Sequence, residues 1–239
     1  MDKSKRPVVW VTGASKGIGA AISAAFAAIG AHVVMSARNG KALDRVAKTI
    51  RREGGWADTV LCDVVSEANV SKAHTWITKH IGPVDVLVNN AGVTYFTSFE
   101  RSNIRQLNHV LATNLLGLFL CTKAVVPAMI RRKKGHIFNI LSVAAIKTFR
   151  DSSAYAASKA GAFALTRGLR AEIRNKGVKV IDVLPGAVET DMWSREERRS
   201  LRKKMMQPRD IADVVVSLYC QPHRVVTEEI VLRPLGGDL

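Results

Sequence analysis

What most constrains the fold of this chain is an alternation that runs almost from end to end. Short runs rich in β-branched residues recur: PVVWVT (7–12), AHVVMSA (31–37), WADTVLCDV (56–64), VDVLV (84–88), HIFNILS (136–142), VKVIDVL (178–184) and EIVLR (229–233). Between them lie stretches with helical character, at 20–30, 41–55, 67–80, 103–130, 153–175 and 209–220. Strands that alternate with helices imply βαβ units, whose right-handed crossovers build a parallel sheet covered on both faces. The expectation is an α/β fold, a Rossmann-type doubly wound sheet of about seven strands, in a single domain over 1–239. In such sheets ligands bind beyond the carboxyl ends of the strands, where strand order reverses.

At the first strand–helix junction stands TGASKGIG (Thr12–Gly19). Gly13 suits backbone angles closed to other residues, while Gly17 and Gly19 let the chain approach a ligand closely. The free N–H groups of the helix behind them would face a phosphate. The alternative is a plain tight turn. With 239 residues, 47% of them hydrophobic, the chain can bury a sizeable core, and neither repeats nor linker-like segments divide it.

These features fall into a larger pattern. TGASKGIG, then NNAG (Asn89–Gly92), then Ser142, Tyr155 and Lys159, then Pro185–Gly186 follow one another across essentially the whole chain. In order and spacing the set resembles the short-chain dehydrogenase/reductase family. The resemblance implies a Rossmann-fold oxidoreductase that uses a nicotinamide cofactor and assembles as a dimer or tetramer. Carried over to this sequence, it implies cofactor contacts at Gly13, Ser15, Lys16, Gly17, Ile18 and Gly19. Further contacts would come from Asp63 and Val64 beside the adenine, and from Asn90, Ala91 and Gly92 along the adenosine ribose. The backbone at Pro185, Gly186, Val188 and Thr190 would hold the nicotinamide carboxamide. Asp63 has an equally simple role as the cap of its own turn.

Dinucleotide folds that choose NAD commonly end the second strand with an acid that accepts the ribose hydroxyls. Here that position is Ala37, followed at once by Arg38, and Lys16 in the glycine turn is a second cation near the same spot. A guanidinium grips a 2′-phosphate in a fork where a carboxylate would repel it. The expected cofactor is therefore NADP(H).

Tyr155 and Lys159 stand four apart on a helix of otherwise small residues, so they share one face. Reducing a carbonyl by hydride transfer builds negative charge on its oxygen, which needs a proton donor and polar stabilisation. A tyrosine supplies the proton, and a neighbouring ammonium stabilises the phenolate and holds the nicotinamide ribose. Ser142 offers a hydroxyl to the substrate oxygen. Asn114, in ATNLLG within the long helix, matches the family asparagine whose main chain holds a water linked to the lysine. Asn114, Ser142, Tyr155 and Lys159 are thus the catalytic candidates.

The segment from about 190 to 208 reads as a lid over substrate. Tyr95, Ala144, Phe149, Met192 and Trp193 are the candidate pocket residues. Arg195–Lys204 carries six basic and two acidic residues, and RRKK (131–134) ends the long helix. A solvated surface explains both runs; recruitment of an anionic carrier such as acyl carrier protein is the sharper reading. Basic positions at Lys133 and Lys176 resemble those of 3-oxoacyl-acyl-carrier-protein reductases. The C-terminal ending VVTEEIVLRPLGGDL and the PGAVETDMW segment look more like bacterial sepiapterin-reductase-like carbonyl reductases.

The net charge of +16 raises a competing class, a nucleic-acid-binding protein or a cofactor sensor on the same scaffold. Basic residues scattered along many helices, 6% aromatic content and the retained tyrosine and lysine speak against it, and no nucleic-acid partner is expected. Three widely separated cysteines, with no cluster at ligand spacing, suggest neither disulfides nor a metal site and fit a reducing cytoplasm. The start MDKSKRP is charged and unlike a signal peptide, and the apolar tract 20–37 reads as helix, turn and strand instead of a membrane span.

Overall fold

The computed structural model describes residues 6–238; the charged start of the chain and Leu239 lie outside the described residues. Among the described residues there are seven strands: β1 (Val8–Thr12), β2 (His32–Ala37), β3 (Trp56–Leu61), β4 (Val86–Asn89), β5 (Gly135–Ile140), β6 (Val178–Pro185) and β7 (Glu229–Leu232). They form one sheet in the order β3-β2-β1-β4-β5-β6-β7, with every pairing parallel. The expected doubly wound α/β architecture is therefore what the chain adopts. Strand order reverses between β1 and β4, and there the crossovers to either side part above the sheet.

The helices are α1 (Gly17–Ala28), α2 (Gly40–Arg52), α3 (Glu67–His80), α4 (Ile104–Leu111), α5 (Gly117–Arg132), α6 (Ser153–Ile173), α7 (Arg195–Leu201) and α8 (Pro208–Tyr219). All five residues of β1 are buried, because helices cover both faces of the sheet. Val9 and Val11 pack with Ile22, Phe26, Leu43 and Ile211 on the α1, α2 and α8 side. Val8 and Trp10 pack with Ile77, Cys121, Val125 and Met129 on the other. Each such side chain withdrawn from water contributes roughly 1.5–3 kcal/mol, so the sheet's centre is the most strongly held part of the chain. The buried indole of Trp10 donates to Ser36 Oγ at 2.9 Å, so its polar atom is satisfied inside this core.

Three local expectations needed correction. The 103–130 stretch is a near-continuous helix, but a wide π turn over Ala112–Leu116 separates α4 from α5. Such single turns carry one extra residue and often mark functional sites. The third strand stops at Leu61, leaving Asp63 in the turn beyond it. The basic segment after 190 is not a plain loop, for it contains α7. There Ser194 accepts from Glu197 N–H at 3.1 Å and Glu197 reaches back to Ser194 N–H at 2.8 Å, a reciprocal cap. The S-x-x-E signature was present in the sequence, masked by the run of charge around it.

Candidate active site

The glycine turn is shaped by its contacts. Gly13 and Gly17 have φ of +63° and +57°, conformations that L side chains rarely adopt. A Cβ on Gly13 would lie 2.8 Å from Ala91 Cα, so the turn after β1 packs directly on the turn after β4. Asn90 locks the two together: its Nδ2 donates to the Thr12 carbonyl at 2.9 Å and the Gly13 carbonyl at 3.1 Å. The first turn of α1 holds no acidic residue and has no side-chain cap, which leaves its amides to a ligand.

Above the carboxyl ends of the central strands runs a cleft of about 1140 Å³. At the β2 end its walls are Ala37, Arg38, Asn39 and Arg45, with Cys62, Asp63 and Val64 beside them. Its middle is formed by Gly13, Ser15, Lys16, Gly17 and Ile18 facing Asn90, Ala91 and Gly92. Its inner end is lined by Ser142, Ala144, Phe149, Tyr155 and Lys159, with Pro185, Gly186, Val188 and Thr190 along the floor and Met192 and Trp193 from the segment after β6. Asp63 also caps its own turn, accepting from Val65 N–H at 3.3 Å.

Tyr155 and Lys159 project from the first turns of α6 into this inner end, both buried. Lys159 Nζ donates to the Ile140 carbonyl at 2.9 Å and lies 5.8 Å from the centre of the Tyr155 ring. Burial lowers the Lys159 pKa to about 8. Burial pushes the Tyr155 phenol up, and the Ser142 hydroxyl beside it pulls the other way. Ser142 lies just past β5, where it also caps a short 3-10 turn by accepting from Ala144 N–H at 3.1 Å. At neutral pH the phenol is therefore in its proton-donating form.

Asn114 occupies the π turn and does not wall the large cleft. Its side chain accepts from Val93 N–H at 2.8 Å and donates to the Val93 carbonyl and to Ser158 Oγ, each at 2.9 Å. It thereby ties the segment after β4 to α6. A separate cavity of about 10 Å³, the size of one water, is lined by Asn114, Lys159, Asn89, Thr12 and Ile140 among others.

Two expected residues are placed otherwise. Tyr95 turns away from the cleft, its hydroxyl 2.7 Å from His109 Nδ1 on α4, and the next residue, Phe96, lines the cleft in its stead. Lys16 borders the cleft, yet its ammonium pairs with Asp191 at 3.0 Å on the lid side and not with the Arg38 end. Asp191 also holds Arg198 of α7 at 2.6 Å, and the Lys16 bond is the main cause that keeps its carboxyl below the usual range.

Arg45, Phe96 and Asp238 are among the wall residues that sequence reasoning missed. Arg45 sits one and a half turns into α2, whose start is fixed when Asn39 accepts from Ala42 N–H at 3.1 Å. Phe96 lies tilted against Trp193 at 5.7 Å and meets Tyr155 edge-on at 6.3 Å. Asp238 enters from the C-terminal tail, anchored by Lys147 at 2.7 Å and by Arg233, while its Oδ1 is buried without a partner among the described residues. Only the S-x-x-E cap and the N-cap asparagine left a trace in the sequence; the other contacts did not.

A cleft of this shape at the reversal point of a parallel sheet, ending in a buried tyrosine and lysine, is the working arrangement of dinucleotide-dependent oxidoreductases. The chain belongs to the short-chain dehydrogenase family: its residues 7–200 match the family model described as short chain dehydrogenase. A sepiapterin reductase from Chlorobaculum tepidum is 41% identical over 97% of this chain and 98% of its own length. A farnesol dehydrogenase from Aedes aegypti is 35% identical, covering 99% of each chain. Among solved structures, a metagenomic short-chain oxidoreductase in complex with NADP superposes with a TM-score of 0.85 at 36% identity, covering 96% of this chain and 97% of its own. An actinorhodin polyketide ketoreductase variant with NADPH gives a TM-score of 0.89 at 31% identity, covering 96% of each.

Proposed function

We propose that the chain is an NADP(H)-dependent carbonyl reductase that converts a small ketone, of the kind carried by a pterin, to an alcohol. The observation that carries this reading is one cleft with Arg38 and Arg45 at one end and Tyr155, Lys159 and Ser142 at the other. The residues present fit the dinucleotide. Gly13, Gly17 and Ile18 of the glycine turn line the cleft, the first amides of α1 are uncapped, and Ala37 stands where an acid would repel a 2′-phosphate. NADP(H) in the similar structures supports the same cofactor.

When bound, the cofactor supplies or accepts the hydride. The chain's own work is proton handling and orientation. Tyr155 gives its phenolic proton to the carbonyl oxygen as charge builds there, and the Ser142 hydroxyl donates to the same oxygen. The Lys159 ammonium stabilises the resulting phenolate and anchors the nicotinamide ribose, which keeps the reacting atoms aligned. The aromatic faces of Phe96 and Trp193 suit a flat ring, and the free Oδ1 of Asp238 suits an N–H donor on it. The 41% identical sepiapterin reductase supports that substrate class.

A second reading, an acyl thioester on a carrier protein, is favoured by one observation. Gly177 packs on the Lys133 backbone, which brings the exposed Lys133 and Lys176 to one edge of the molecule. In either case the exposed Ile104, Leu116 and Phe119 on the long helix support assembly as a homodimer or homotetramer.

The test is NADPH oxidation against a panel holding a pterin ketone, a diketone, an acetoacetyl thioester and an aromatic aldehyde, with wild type beside Tyr155→Phe. Turnover of the pterin ketone, reduced about 10²–10⁴-fold in the variant, is the expected result. Tight NADPH binding with no turnover of any carbonyl sinks the reading, and preference for the thioester selects the second.

A further inference from the structure

One array of buried polar groups is not used by the proton-transfer pair, yet it ends beside it. Asn89, Asn139, Asp182 and Glu229 stand side by side on β4, β5, β6 and β7. Asn89 Nδ2 donates to Asn139 Oδ1 at 2.9 Å, and Asn139 Nδ2 donates to Asp182 Oδ1 at 2.9 Å. Asp182 Oδ2 accepts from Thr166 Oγ1 at 2.9 Å and from the Arg170 guanidinium, both on α6. Arg170 is itself buried and also binds Glu229 at 3.0 Å and the Glu228 carbonyl at 2.9 Å.

This array has a direction. Arg170 is donor-only and always cationic, so the carboxylate opposite it stays charged and both its oxygens accept. Asn139 must then turn its NH₂ toward Asp182 and its oxygen toward Asn89. Asn89 must in turn give its NH₂ to Asn139, with a second bond to Thr122 Oγ1 at 2.9 Å. The amide orientation of Asn89, two strands away from the ion pair, is thereby dictated by it. What remains is Asn89 Oδ1, a buried acceptor with no partner among the described residues. Asn89 forms part of the wall of the 10 Å³ cavity that Lys159 and Asn114 also line. Lys159 Nζ spends one proton on the Ile140 carbonyl and has two more to donate.

We propose that this cavity holds one water that accepts from Lys159 Nζ and donates to Asn89 Oδ1, which makes Asn89 a positioning residue for Lys159, oriented through Asn139 by the Asp182–Arg170 pair. The inference rests on the reading of Tyr155 and Lys159 as the proton-transfer pair for its consequence in catalysis, though not for the water itself. A water linked to the lysine is what the family resemblance implies at Asn114; its second anchor, and the ion pair that sets it, are read from this chain. The site is polar and just large enough, the two conditions a buried water needs. A buried acceptor left without a hydrogen bond destabilises the fold, and a water in this cavity would satisfy it.

The groups around Lys159 are Tyr155 on its own helix, the Ile140 carbonyl from β5, Asn89 from β4 and Asn114 from the π turn. Tyr155 is the titratable one among them. The titration of Lys159, followed by its ¹³Cε shift in the protein without added cofactor, therefore reports on the water. In Asn89→Leu the water loses its acceptor, and the Lys159 midpoint should fall by about half a pH unit or more as the ammonium loses solvation. The double variant Asp182→Leu, Arg170→Leu replaces the buried pair by apolar residues, a change that proteins often tolerate. It frees Asn139 to turn over and should move the midpoint in the same direction, so the proposal stays testable if Asn89→Leu does not fold. Val86→Ala, a core truncation on the same strand, should leave the midpoint alone. A crystal structure at high resolution should show the water within hydrogen-bond distance of both atoms. An unshifted midpoint in the folded variants, or no water between Asn89 and Lys159, overturns the proposal. Full turnover by Tyr155→Phe would instead overturn the catalytic reading while leaving the water and the shift intact.

Discussion

At the residue scale, the decisive groups are those whose chemistry is set by burial. Lys159 has its pKa lowered to about 8 from 10.5, with burial as the cause. Its charge therefore costs the folded protein most below pH 8, where folded and unfolded chains are both protonated. The cost fades as pH rises to 10.5, because the folded lysine is by then neutral. Lys159→Met should raise stability at pH 7 by about 2 kcal/mol, after allowing for the lost bond to the Ile140 carbonyl. Urea midpoints should show the gain shrinking between pH 8 and 10.5, and no gain at pH 7 would contradict it. On the proposed reading, Arg38 bears on a different choice, that between the two nicotinamide cofactors. Arg38→Ala should weaken NADPH binding about 10- to 100-fold and leave NADH nearly unchanged, since a charge-assisted phosphate contact contributes roughly 1.5–3 kcal/mol. Fluorescence titration with both cofactors checks it, and equal losses would place the phosphate elsewhere. The tyrosine and lysine were legible in the sequence because a helix fixes which residues four apart share a face. The depressed lysine pKa was not, because it depends on what surrounds the ammonium.

At the element scale, the segment after β6 is a structured clamp. Asp191 joins Lys16 of the glycine turn to Arg198 of α7, and Glu189 holds Arg202 at 3.1 Å and Gln207 at 2.9 Å. Two of the six cations in 195–204, Arg198 and Arg202, thus pair with acids of the same segment. Asp191→Ala should speed tryptic cleavage within 195–204 about two- to fivefold, as exposed ion pairs of this kind are worth up to about 1 kcal/mol. An unchanged digestion rate would mean that the reciprocal cap of α7, and not the clamp, orders this segment. The π turn is the other element the sequence did not announce. Its apolar periodicity continues that of α4 and α5, and the extra residue follows from bonds that Asn114 makes to Val93 and Ser158.

At the scale of the whole molecule, the long helical stretch Ile104–Arg132 is apolar and long enough to cross a bilayer, and 44% of its apolar window is buried inside the protein. Part of the remainder is the exposed Leu116 and Phe119. A facing copy of the same helix would cover both and account for apolar surface that one sheet face leaves open. The double change Leu116→Glu, Phe119→Glu should give a monomer in sedimentation equilibrium, with the wild type at two or four copies. An assembly unaffected by two new charges would move the interface elsewhere, for instance to the β7 edge, where Val231 is exposed.

The sequence by itself determined whatever depends on neighbours along the chain. The alternation of strand and helix, the glycine turn, the shared face of Tyr155 and Lys159 and the missing acid at Ala37 are all local, set by backbone sterics and by the two side-chain periods. Tertiary structure decided what depends on meetings between distant segments. Lys16 finds Asp191 across 175 residues, Lys147 finds Asp238 across 91, and Asn89 finds Asn139 across 50. Phe96 faces the cleft where Tyr95 was expected because the extended segment after β4 is oriented by its contacts with α4 and the lid. Hydrogen bonds and charges act over a few ångströms of space, and only folding brings such partners within that reach.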